Sequence, residues 1–177
     1  MNPQYSTPNQ NGDNPETCST EDVLFRKIAS LLMAKNISYT VLQHDEIEGS
    51  AAEASSVTDT RPEQGAKALI MMSNGKTPLM VVLRGPDMAD IRALKRAIGT
   101  KDLRLATLEE VHEMTGTEIG VIPAIGNLFG METYCDEDLI YEGDIAFGTG
   151  LHTKTIMINA EDYLQVASPT VGKYSKR

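Results

Sequence analysis

The alternation of apolar and polar positions divides the chain into short helices and strands in mixed order. Leu24, Ile28, Leu31 and Leu32 recur at helical spacing, which predicts a helix capped by Ser19 or Thr20, ending near Asn36 and laying one face on a sheet. Ser38 to Gln43 reads as a strand, His44 to Glu48 as a turn, and Ser50 to Val57 as a short alanine-rich helix bounded by Pro62. Ala66 to Met72 and Leu79 to Leu83 flank the hairpin-type turn Ser73-Asn74-Gly75-Lys76, and both runs are apolar on both faces, so they are expected at the centre of the sheet. Asp87 is expected to cap a helix reaching Ile98, with Gly99 as its stop; Thr107 with Glu110 makes a capping box for a helix ending near Thr115. Gly116, Gly120, Pro123, Gly126 and Gly130 then punctuate a long loop. Short strands follow near Thr133 to Cys135, Asp144 to Phe147 and Thr155 to Ile158, with a last helix from Ala160. The pattern is that of an α/β protein of the α+β type, with no internal repeat.

The two ends differ from this. Residues 1–18 hold Asn, Gln, Pro, Ser and Gly with almost nothing apolar, and cannot bury enough surface to offset ordering, so a flexible polar arm is expected. Residues 19–167 form the expected domain, and 168–177, with Lys173, Lys176 and Arg177, read as a frayed basic tail. A length of 177 residues suits one domain with a real core. No apolar run approaches the roughly 20 residues that cross a bilayer, and Met1 to Thr20 lacks the basic start and apolar stretch of a secretory signal. The cytoplasm is therefore the expected compartment, with no membrane partner. Cys18 and Cys135 lie in unlike contexts and are not expected to pair.

A net charge of −9 argues against general nucleic-acid binding, and DNA is excluded as a partner on that ground. The distribution is uneven, however. No Lys or Arg stands between Arg104 and Lys154, while Arg84, Arg92, Lys95, Arg96, Lys101 and Arg104 crowd one stretch. That stretch is either the solvated face of a helix or a basic edge able to hold one nucleic-acid end.

Three features could carry chemistry. Lys67 shares a strand face with Leu69 and Met71, so its ammonium either escapes past the strand end or lines a cleft and holds a ligand oxygen. The segment Gly116-Thr-Glu-Ile-Gly120-Val-Ile-Pro123-Ala-Ile-Gly126 has no evident side-chain catalyst, but its glycines let main-chain N–H groups approach an oxyanion. Gly148-Thr-Gly150-Leu-His152 lacks the Walker spacing; His152 is either a structural hydrogen-bonding residue or a donor to substrate. A thiol hydrolase built from Cys135 with His112 or His152 is disfavoured by the apolar and acidic surroundings of the cysteine. His44, His112 and His152 are too widely spread for a zinc site, so no metal is expected, and no cofactor. Asp136, Glu137 and Asp138 read as a solvated turn.

Taken in order, these segments resemble the YbaK-like proteins and the related editing domain inserted in bacterial prolyl-tRNA synthetases, over about residues 20–167. Gln64-Gly65-Ala66-Lys67-Ala68-Leu69 is similar to the family's lysine-bearing strand, and Thr115-Gly116-x-x-x-Gly120-x-x-Pro123-x-x-Gly126 to its substrate loop. Cys135-Asp136 stands at its hydrophobic-Asp pair, and Gly150-x-His152-x-x-x-Ile156-Met157-x-x-x-x-Asp162 resembles its closing strand and helix. His44 falls where the family often has His.

The resemblance implies a mixed, partly closed sheet surrounded by helices, and trans-editing of aminoacyl-tRNA without a cofactor. Lys67, Gly116 and Gly120 are then the candidate catalytic groups: Lys67 would hold the terminal adenosine phosphate or the aminoacyl carbonyl, and the loop's main chain would position the ester and its water. His44, Pro123, Gly126, Gly150 and His152 are the candidate substrate-binding residues. The implied partners are the acceptor end of an aminoacyl-tRNA and an aminoacyl-tRNA synthetase. Pro123 is followed by Ala124, where the family often carries Pro-Pro or Ser-Pro, and Ala68 stands where alanine-specific members have Asn. A catalytically silent module that binds a tRNA end, a nucleotide or a synthetase is the second reading.

Overall fold

The structure, a computed structural model, describes residues 20–47 and 51–176. The expected arm at 1–18 and the cap at Ser19 lie outside the described residues. Helix α1 (Thr20–Ala34) turns its apolar stripe inward, and Ile28 and Leu32 are fully buried. Strand β1 (Thr40–Gln43) and helix α2 (Ala51–Thr58) follow. A 3-10 turn (Pro62–Gln64) then leads into the hairpin β2 (Ala66–Ser73) and β3 (Thr77–Arg84), closed by Asn74 and Gly75 at positive φ. A two-residue strand β4 (Met88–Ala89), helix α3 (Ile91–Ile98), strand β5 (Leu103–Leu105) and helix α4 (Leu108–Thr115) come next. After the glycine-rich loop and the 3-10 turn Gly126–Phe129 come strand β6 (Glu132–Asp136), helix α5 (Glu137–Ile140), strands β7 (Asp144–Gly148) and β8 (Lys154–Asn159) and helix α6 (Ala160–Ala167). Two short strands, β9 (Thr170–Gly172) and β10 (Ser175–Lys176), finish the described chain.

The main sheet runs β5-β2-β3-β6-β9, with β2 antiparallel to both β5 and β3, and β3-β6 and β6-β9 parallel. The sheet is thus mixed, and β2 and β3 lie inside it. Their two-sided apolarity has a direct cause, since each face meets a different core. Ile70, Met80 and Val82 join Ile28, Leu32, Tyr163 and Val166 on one side. Met71, Leu79, Val81 and Leu83 meet Leu94 of α3 and Tyr174 on the other. A second, antiparallel sheet β1-β8-β7 docks on the start of β2 through a bridge between Gly65 and Ala146.

Three expectations need correction. Asp87 does not cap α3; Asp90 does, its carboxylate accepting the N–H of Arg92 and Ala93, while Asp87 is buried against Arg84. Asp136 is not in a solvated turn: it is fully buried, accepts the N–H of Asp138 at 3.0 Å, and accepts those of Tyr174 at 2.6 Å and Ser175 at 2.7 Å. Those last two bonds explain the third correction. Residues 168–176 are not frayed: β9 extends the main sheet, β10 pairs with β4, and Tyr174 is buried edge-on against Tyr134.

Candidate active site

The start of β2, the β3-β4 turn, the end of β7 and the glycine-rich loop converge on a cavity of about 350 Å³. Lys67 and Ala68 form part of one wall, Gly85 and Pro86 a second, Gly120 and Ile122 a third, and Ala146 to Gly148 the floor. Helix α2 contributes Ala54 and Thr58, and β8 contributes Thr155. This volume is at the small end of ligand pockets, about 300–1,000 Å³, and the lining is mostly apolar with few polar groups, as such pockets usually are.

Lys67 does not escape to bulk water. Its ammonium donates to the carbonyl of Gly85 at 2.9 Å and to that of Asp87. An ammonium has three N–H donors, so one remains for a ligand in the cavity. Burial draws its pKa below the ordinary lysine value, and the negative charge of Asp87 opposes that shift. The Asp87 carboxylate is itself engaged by Arg84, Nε to Oδ2 at 2.7 Å, and Arg84 also reaches Glu142 at 3.2 Å. Glu142 in turn pairs with Arg61 at 3.0 Å. This network fixes the turn whose carbonyls hold Lys67. It also removes Arg84 from the basic edge expected from the sequence, because three carboxylates surround its guanidinium.

The glycine-rich loop divides into two parts. Pro123, Ala124 and Ile125 are buried, and the Tyr163 hydroxyl donates to the Ala124 carbonyl at 2.7 Å, so this half belongs to the core. The half from Ile119 to Ile122 lines the cavity, and Gly120 takes a φ of 100° that favours glycine. Among the described residues the N–H groups of Gly120 and Ile122 donate to no partner. The loop is held from below by the second glycine motif. A Cβ on Gly148 would lie 2.5 Å from the Val121 carbonyl oxygen, and the Gly150 N–H donates to that same oxygen at 2.8 Å.

The other candidates stand outside the wall. Gly116 ends α4 in the left-handed conformation, and Gly126 packs so closely on Thr133 and Met131 that a Cβ would come within 2.4 Å of the threonine hydroxyl. His44 lies behind Thr155: its Nδ1 donates to the Asp45 carbonyl at 2.8 Å, and Nε2 meets the Thr155 hydroxyl at 3.1 Å. His152 bridges the rim, contacting the Ile47 carbonyl at 2.7 Å and the Glu118 carboxylate at 3.1 Å. Ile47 and Ile119, which neighbours Glu118, both line the cavity, so His152 tethers two sides of its mouth.

Sequence reasoning missed Thr155 and the pair Thr58 and Thr60, whose hydroxyls are 2.9 Å apart. Nothing in their local sequence separates them from ordinary strand and helix-end threonines. Sequence reasoning also missed the Gly85-Pro86 turn, whose Gly85 carbonyl accepts from Lys67.

Cys135 is fully buried, and burial, with Asp136 adding to it, pushes its thiol up to about 12. It does not line the cavity. Among the described residues no cluster of three His, Cys, Asp or Glu side chains could hold a metal ion, and no helix is long and apolar enough to cross a membrane.

A lysine donor and unengaged loop amides around a small apolar cavity, on a mixed sheet, define a site for a ligand with a polarised oxygen rather than a side-chain nucleophile. The chain belongs to the aminoacyl-tRNA editing domain family, whose profile matches residues 44–166. It is 28% identical over 159 residues to the multifunctional Ser/Thr-tRNA deacylase ProXp-y of Escherichia coli K12, across 87% of this chain and 94% of that protein. A shorter match, 40% identical over 70 residues, joins 40% of this chain to 12% of the proline–tRNA ligase of Aquifex aeolicus. Among solved structures, a protein provisionally described as a trans-editing enzyme for prolyl-tRNA synthetase superposes with a TM-score of 0.78. That likeness covers 91% of this chain and all of the other at 23% identity, and speaks for the fold alone.

Proposed function

We propose that this chain is a trans-editing aminoacyl-tRNA deacylase, hydrolysing the ester that joins a small, wrongly attached amino acid to the terminal ribose of tRNA. The observation that carries this reading is that Lys67, with two carbonyl acceptors for its three N–H donors, lines a small cavity together with Gly120 and Ile122. In the reaction, water adds to the ester carbonyl carbon and the carbonyl oxygen becomes an oxyanion. Lys67 and the Gly120 and Ile122 amides supply hydrogen bonds to that oxygen. The bond to the ribose oxygen then breaks, and the proton given up by water ends on the released ribose hydroxyl. An aminoacyl ester is already activated, so positioned donors and an ordered water suffice; one oxyanion donor is worth on the order of 100 to 1,000 in rate.

The relative's named Ser/Thr-tRNA deacylase activity makes seryl- and threonyl-tRNA the first substrates to try. In this role the protein works in the cytoplasm, where tRNA is charged, beside the synthetases that make the errors. The test is a panel of Ala-, Cys-, Ser-, Thr- and Pro-charged tRNAs incubated with purified protein under single-turnover conditions. Release of at least one amino acid well above the buffer rate is expected. Binding of tRNA without release from any of the five would favour the silent module.

A further inference from the structure

The deacylase reading leaves the basic stretch 92–101 unexplained, and the fold adds to it residues that the sequence keeps far away. The pairing of β10 with β4 sets Lys176 opposite Met88, next to the start of α3. The charges of Arg96 and Lys176 add to the backbone hydrogen bonds that lower the pKa of the Asp90 carboxyl. The anchor is the buried Asp136, which holds the N–H groups of Tyr174 and Ser175, together with the Tyr174 carbonyl, which accepts from Asp90 N–H at 2.7 Å.

Among the described residues the cations of this face have no carboxylate within ion-pair distance, and neither do Arg26, Lys27 and Lys35 around α1, whereas Arg61, Arg84 and Arg104 are paired. Lys95 and Arg96 suit the last turn of α3, but Arg92 stands in its first turn, where a cation opposes the helix dipole. Arg92 and Arg96 are also like charges at i,i+4, an arrangement that costs the isolated helix stability. Asp90, at the start of α3, uses its Oδ1 to cap the helix. In a chain of net charge −9, such a cluster lowers the repulsion a polyanion meets.

Its position fits the site. Pro86 lines the cavity, and the six residues from there to Arg92 span at most about 20 Å even if fully extended. One RNA end could therefore put its terminal residue in the cavity while the phosphates before it reach α3.

We propose that Arg92, Arg96 and Lys176, with Lys95 beside them, form the docking surface for the phosphate backbone of the tRNA acceptor stem. The assignment rests on the deacylase reading for the identity of the RNA, but its test does not depend on catalysis. The probe is a labelled, uncharged acceptor-stem hairpin ending in CCA, titrated with the full chain by fluorescence anisotropy over a range of salt concentrations. Removing one cation that neutralises a phosphate lowers the slope of log affinity against log salt by about one. The triple variant R92Q/R96Q/K176Q should lose about three in slope and bind at least about tenfold more weakly at low salt. The variant R26Q/K27Q/K35Q, which removes three exposed cations around α1, should bind as wild type does. Hydrolysis of a short seryl-adenosine ester should be the same in all three proteins.

Equal slopes in wild type and the α3-β10 variant, or an equal loss in the α1 control, overturn the docking surface and leave the deacylase reading intact. A salt slope that depends on the three cations, with no release by wild type from any of the five charged tRNAs, keeps the surface and removes the deacylase.

Discussion

The substitution Lys67→Met removes the ammonium while keeping most of the unbranched stem, and the structure allows its two consequences to be separated. The first is catalytic. If the remaining N–H meets the ester oxygen, its loss costs about 2.7–4 kcal/mol of transition-state stabilisation, a fall of roughly 100 to 1,000 in single-turnover rate. The second is structural, because the same ammonium holds the Gly85 and Asp87 carbonyls. Charge-assisted bonds are worth about 1.5–3 kcal/mol each when buried, but this group is partly solvated and the variant is relieved of burying a cation. A net destabilisation of about 1–2 kcal/mol is expected, with the turn still fixed by Arg84 and Asp87.

The pKa direction adds a second signature. Burial lowers the lysine's value, so the donor form is lost at a pH below the ordinary 10.5. After subtraction of hydroxide-driven ester loss, the wild-type rate should therefore fall as pH rises through that lowered value, and Lys67→Met should show no such step. Stability moves the other way. Between the native and unfolded values the unfolded chain binds more protons, so the fold gains stability as pH rises through that window. Lys67→Arg should restore most of the stability but not the rate, because a planar fork does not replace a compact ammonium. The reasoning fails if Lys67→Met lowers the rate less than threefold while the melting temperature is unchanged.

Other substitutions probe the scaffold. Gly148→Ala would set a methyl group 2.5 Å from the Val121 carbonyl oxygen, so the cavity loop must shift; deacylation should fall at least tenfold while circular dichroism shows a folded protein. Asp136→Asn sets an amide N–H₂ where a carboxylate oxygen accepts from buried backbone N–H groups, and should cost about 3–5 kcal/mol by urea denaturation, with faster amide exchange over 170–176. A loss under 1 kcal/mol would return Asp136 to the surface turn first expected. Cys135→Ala should retain full deacylation, and Cys135 in the folded wild type should resist iodoacetamide at pH 8, since burial holds its thiol near 12; loss of activity would revive the thiol hydrolase.

What the sequence determined alone is local. Helical spacing placed α1, the Thr107-Glu110 box started α4, and two-sided apolarity put β2 and β3 at the centre of the main sheet. Alternation along β2 also assigned Lys67 to the face of Leu69 and Met71, and those two side chains do pack in the same core cluster. Each of these signals depends on residues within one or two turns of each other, where periodicity and caps act.

Tertiary structure decided the rest. Asp87 is the expected cap, but its carboxylate pairs with Arg84 three residues before it, and Asp90, whose N–H donates to the distant Tyr174 carbonyl, caps the helix instead. The segment 170–176 carries little apolar pattern of its own, and is held because one oxygen of the buried Asp136 accepts two of its N–H groups and Tyr134 offers a ring. The partners of Lys67 are backbone carbonyls, and the cavity wall is drawn from segments more than 60 residues apart. Main-chain acceptors are the same at every position, so no residue pattern marks them. Only closing the chain on itself selects which ones face the lysine.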